Sequence, residues 1–145
     1  MVQRAQAEEE LRRLSMEMRY LEQTAETLQQ RISMVNAALT DINYANMTLD
    51  GIEKEKENSE LLVPIGGSSY VKVKLADPNK VIIGLGSGVS IEKTLPEAKA
   101  TLKERLDELE KTMHSAQQQF SQVAERINSG RSRLENLLST REGKQ

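Results

Sequence analysis

The residues of this 145-residue chain that could do chemistry are few, and their types limit what chemistry is open to them. There is no cysteine and one histidine, His114. Disulfides, thiolate nucleophiles and thiolate metal sites are removed together. One imidazole does not build a multi-histidine zinc site, and it supports a Ser-His-Asp triad at most once. His114 comes directly after Met113 on an outer helical position and reads as a solvated surface histidine. Acidic side chains are numerous, but runs such as Glu8, Glu9 and Glu10 serve outer faces of helices. Gly84, Gly86 and Gly88 have some of the spacing of a dinucleotide fingerprint. The next six residues, VSIEKT from Val89, alternate like a strand, whereas a phosphate loop needs a helix N-terminus there. No catalytic, metal or cofactor site is expected, and the chain reads as a non-enzyme.

The composition explains what carries these residues instead. Apolar residues make up 37% and charged residues 29%, with only three Tyr and one Phe, so large core-filling side chains are scarce. Leu, Ile, Val, Met and Ala beside abundant Gln, Glu, Arg and Lys is the composition of long amphipathic helices. The net charge of −2 hides no strongly basic segment, which disfavours nucleic acid and anionic membrane as partners. The opening MVQRAQAEEELRR has no apolar leader, and no run of about 18 apolar residues occurs, so a cytoplasmic protein is expected.

Apolar residues recur at Leu11, Leu14, Met18, Leu21, Ala25, Leu28, Ile32, Val35, Leu39 and Ile42, then Asn46 and Leu49, with spacings alternating between three and four. This 3.5-residue repeat keeps one narrow stripe turned toward a partner helix. A second seam runs through Leu95, Leu102, Leu106, Leu109, Met113, Ala116, Phe120, Val123, Ile127, Leu134 and Leu137, with Lys99 and Gly130 as departures. At 1.5 Å per residue both seams span about 60 Å, and the matched lengths suggest that they pair with each other.

Between the seams, residues 61–96 hold all three prolines and five of the eight glycines. Four β-like runs fall at 61–65, 70–75, 80–85 and 89–94, separated by Gly66-Gly67-Ser68-Ser69, Ala76-Asp77-Pro78-Asn79 and Gly86-Ser87-Gly88. These turn signals predict two successive hairpins. Pro64 lacks an N–H and belongs at an edge or bulge. Thr94 is placed to N-cap the returning helix, with Pro96 and Glu97 in its first turn, and Gly51 marks a weak point or a stop near the end of the first helix. So short a β insert buries too little to stand alone, which predicts oligomerisation through it.

The central run LLVPIGGSSYVKVKLADPNKVIIGLGSGVSIEKTLPEA, and most specifically LVPIG at 62–66 with GLGSGVSIEKT at 84–94, resembles the α-class subunit of prefoldin, archaeal type. The resemblance spans essentially the whole chain, and four strands rather than two favour the α class over the β class. It implies an α+β fold: a long antiparallel two-helix coiled coil with a central pair of β-hairpins that joins an oligomeric β-barrel platform. The segments are then 1–60, 61–94 and 95–145, one structural unit overall. It implies an ATP-independent chaperone assembled with β-class subunits as an α2β4 heterohexamer, holding unfolded clients at the distal coiled-coil ends and passing them to a group II chaperonin.

Carried onto this sequence, the platform residues are Leu61, Leu62, Val63, Ile65, Tyr70, Val71, Val73, Leu75, Val81, Ile82, Ile83, Leu85, Val89 and Ile91. Client contact falls on Leu11, Leu14, Met16, Met18, Tyr20 and Leu21, and on Ile127, Leu134, Leu137 and Leu138. Met16 and Tyr20 lie four residues apart on a strip behind the seam. Adaptable client contact and ordinary surface exposure are both open for them. Gly130 sits in the seam near Leu14 in an antiparallel pair and is expected to weaken packing there, whether as simple fraying near a terminus or as a functional opening. A structural coiled-coil scaffold or tether, oligomerising through the same insert, is the alternative function.

Overall fold

The computed structural model describes residues 2–143. Helix α1 (Val2–Glu53) leads into strands β1 (Glu60–Gly66), β2 (Ser69–Lys74), β3 (Lys80–Gly86) and β4 (Val89–Thr94), and helix α2 (Leu95–Gly143) completes the order. Met1, Lys144 and Gln145, which bound the first and last expected segments, lie outside the described residues. Two compact units are present, one of Met1–Ala37 with Lys111–Gln145 and the other of Ala38–Glu110.

In the first unit the heptad positions do what their spacing dictates. Met18, Leu21, Leu28 and Val35 of α1 and Ala116 of α2 are buried, and the remaining seam residues there are at least half-buried. The helices run antiparallel, with Glu10 of α1 paired to Arg133 of α2 and Met18 lying against Gly130. The expected weak point at Gly130 is filled: the Met18 side chain occupies the space that a side chain on residue 130 would take. Methionine can do this because it is unbranched and flexible.

In the second unit the strands form two separate antiparallel hairpins, β1 with β2 and β3 with β4. Both hairpins use the same device to turn. Two-residue turns at Gly67-Ser68 and Ser87-Gly88 have positive φ at both positions, as a type I′ reversal requires. A register irregularity precedes each turn, between Pro64 and Gly66 and between Gly84 and Gly86. Pro64 thus sits beside a bulge, where its missing N–H is tolerated. Helix α1 runs past Gly51 to Glu53, two residues beyond the expected stop.

The hairpins differ in what holds them. Ile83 of β3 is buried in a cluster with Leu49 of α1 and Leu95, Ala98 and Leu102 of α2, with Ala45, Ile52 and Val81 packed around it. Ala98 is fully buried, so its small side chain sets how closely β3 approaches the helices. Arg105 donates to the Gly84 carbonyl oxygen at 2.6 Å, and Lys93 donates to the Thr101 hydroxyl at 3.2 Å, both tying β3–β4 to α2. The N–H of Leu95 donates to the Asn79 carbonyl at 2.9 Å, and Thr94 Oγ1 caps α2 by accepting from the Glu97 N–H at 3.4 Å. The β1–β2 hairpin contributes no residue to this cluster.

Lys99, the departure from the second seam, is matched by two carboxylates of α1. Its ammonium group lies 2.9 Å from Asp50 and also bonds Glu53. The Glu53 carboxylate first, and Asp50 second, raise the Lys99 pKa above its ordinary value of 10.5. A raised folded-state pKa stabilises fully below 10.5, and that contribution is lost as pH rises through the folded value. Thermal melts across the alkaline range should therefore show a constant difference between wild type and Lys99→Met below pH 10.5, shrinking as pH rises from there through the folded value. The stem of Met still packs while the charge is gone.

Candidate interaction surfaces

The candidate interaction residues are the apolar side chains that the fold leaves uncovered. Among the described residues no group of three or more His, Asp or Glu is placed to hold a metal ion, and no helix is long and apolar enough to cross a membrane.

The first surface is on the hairpins. Pairing of Leu61 with Val73 and Val63 with Val71 puts four aliphatic side chains on one face of β1–β2. The opposite face carries Leu62 beside Lys72 and Pro64 beside Tyr70. Leu62, Val63, Ile65, Tyr70 and Val71 are all exposed, so both faces of this hairpin carry exposed apolar side chains. On β3–β4, Ile82, Leu85, Val89 and Ile91 are exposed, Ile82 by 73%. Of the expected platform residues, Leu61, Val73, Leu75 and Val81 are half-buried. Ile83 departs from the expectation. It is 5% exposed and committed to the helix cluster, so within the chain it is an anchor and is not free to meet a neighbour. Alternation explains the split: Ile82 and Ile83 are consecutive and point to opposite faces of one strand.

The second surface is at the end of the helix pair that carries the chain termini. Met16, Tyr20 and Leu138 are exposed. Leu11, Leu14, Ile127, Leu134 and Leu137 are half-buried in the seam. Met18 and Leu21 are buried in the seam. A groove of about 630 Å³ opens between the helices here, floored by Leu14 and Gly130 and edged by Glu17, Glu125, Arg126 and Arg133.

Four exposed apolar side chains were not singled out from the sequence: Val2 and Met34 in the first unit, and Tyr44 and Met47 in the second. The signal was available. In the register set by the first seam Met34, Tyr44 and Met47, like Met16 and Tyr20, occupy outer positions.

Comparison with known proteins accords with this arrangement. A family model described as prefoldin subunit matches residues 21–139. The chain belongs to the prefoldin family. Among its relatives, the prefoldin subunit alpha of Pyrococcus horikoshii is 33% identical over 85% of this chain and 84% of its own length, and that of Methanococcoides burtonii is 30% identical over 83% and 88%. The alpha subunit of Methanobrevibacter smithii is 27% identical, covering 95% of this chain and 94% of its own. Two solved structures share the fold. Filamentous PFD from Methanocaldococcus jannaschii has a TM-score of 0.65 at 22% identity, covering 77% of this chain and 92% of its own. The prefoldin beta subunit from Thermococcus strain KS-1 has a TM-score of 0.59 at 16% identity, covering 88% and 90%. The likeness to archaeal prefoldin alpha subunits makes this chain a subunit of the chaperone type.

Uneven anchoring has a direct readout. Hydrogen exchange on the purified prefoldin chain without partner subunits should be faster for the amides of β1 and β2, which no helix covers, than for those of β3, which is pinned at Ile83 and Gly84. Equal protection of the two hairpins would mean that β1–β2 has found cover of its own.

Proposed function

We propose that this chain is the α-class subunit of an ATP-independent chaperone that joins β-class subunits through its hairpins, holds non-native polypeptide at the helix ends bearing the termini, and passes it to a group II chaperonin. The observation that carries the reading is the uncovered apolar surface of the hairpins, from Leu62 and Ile65 to Ile82 and Val89. Burying side chains of this size is worth about 1.5–3 kcal/mol each when complete, ample to hold subunits together. A heterohexamer with two copies of this chain and four β-class subunits is the assembly that the family resemblance implies.

At the other surface, Met16 and Tyr20 offer a thioether and a phenol on an exposed strip, with the half-buried Leu11, Leu14, Leu134 and Leu137 beside them. Flexible, polarisable side chains suit weak contact with varied unfolded segments, which is what holding without nucleotide demands.

Aggregation of a chemically denatured protein, followed by light scattering, tests the holding step. The complete complex at equimolar ratio should suppress scattering, and unchanged scattering would contradict the proposal. Met16→Ser with Tyr20→Ser should weaken suppression while the oligomer stays intact. Val73→Asp should disrupt assembly, because a buried carboxylate on that strand face finds no partner.

A further inference from the structure

The groove between the helix ends contains a feature that the heptad pattern does not account for. Residue 130 has no side chain, and the hole this leaves is occupied by Met18 reaching across from α1. A Cβ built at residue 130 would collide with the Met18 sulfur and lie 3.6 and 3.7 Å from its Cγ and Cε. Met18 is 8% exposed, so its thioether is a plug held against Gly130, whose other side lines the groove. Removing that plug would leave a cleft floored by Gly130 and Leu14 and open to solvent on the side of the groove.

We propose that this cleft is a side-chain socket: the Met18 thioether swings out and an aliphatic side chain of an extended client segment, Leu or Met, takes its place over Gly130. This rests on the reading that the helix ends hold non-native polypeptide, and adds what kind of group is held and how. The exchange trades one flexible apolar side chain for another, so it requires no opening of the rest of the seam. The rim selects for the same occupant. Glu17, Glu125, Arg126 and Arg133 edge the groove, and Arg133 is paired with Glu10, so neither sign of charge is in large excess there. Such a rim favours neither a strongly acidic nor a strongly basic ligand. An uncharged side chain on an extended backbone fits both the floor and the rim.

The test uses the full chain in complex with β-class subunits, with fluorescein-labelled, reduced and carboxymethylated α-lactalbumin as the probe and anisotropy as the readout. Gly130→Ala fills the socket with a methyl group and should weaken binding about tenfold, roughly the loss when one aliphatic side chain forfeits most of its burial. Met18→Ala removes the plug and should tighten it. Asn128→Ala raises helix propensity on the exposed face next to the socket without touching it, and should leave binding unchanged. Equal affinity of wild type and Gly130→Ala would overturn the socket while leaving client holding intact. So would equal weakening by Gly130→Ala and Asn128→Ala, which would make fraying of α2 the cause. If the wild-type complex does not bind the probe at all, the functional reading itself fails and the socket with it.

Discussion

The apolar seam of each helix is spent within the chain, on the other helix in the first unit and on the other helix together with Ile83 of β3 in the second. Leu21, Leu28 and Val35 are buried in one unit and Leu49, Leu95 and Leu102 in the other, so no seam residue is left for the exposed strand side chains. Among the described residues the hairpins contribute one buried side chain, Ile83, packed with Ala98, while Val81 and the bonds from Arg105 and Lys93 help to hold β3–β4. The exposed apolar side chains on the four strands need cover from outside the chain. Assembly is the consequence of that constraint, because a two-stranded hairpin with apolar residues on both faces is not stable in water by itself.

The two irregularities of the second seam are resolved in opposite ways. Lys99 puts a charge where an apolar residue belongs, and α1 answers with Asp50 and Glu53, so the position becomes a polar clasp beside the β3 anchor. Gly130 puts nothing where a side chain belongs, and α1 answers with Met18. A charge matched across a helix pair favours one alignment of the helices, as polar seam residues do in other coiled coils. A hole filled by a flexible side chain fixes much less.

Much of this was legible in the sequence. The 3.5-residue spacing located both seams, and turn residues placed every strand within about a residue of its observed ends. Family likeness supplied the class. The features that stayed hidden depend on partners distant in the chain. Nothing local to Ile83 distinguishes it from Ile82, and only the approach of Leu49 and Leu102 decides which of the two is buried. Lys99 read as a defect because its carboxylates lie more than forty residues away, and Gly130 read as a weakness because the residue that fills it is on the other helix. Periodicity shows which face is apolar, and it is silent on which side chain crosses to fill a gap. The exposed Met34, Tyr44 and Met47 were readable from the same register, since outer positions are as well determined as inner ones once the seam is known.

The central claim is that the hairpins of one chain cannot cover themselves. Native mass of the purified chain, alone and mixed with a β-class prefoldin subunit, tests it most directly. The account predicts one discrete hetero-oligomer in the mixture, and association or poor solubility of the chain alone. A chain that remains a soluble monomer under both conditions, its hairpin surfaces still exposed, would contradict it.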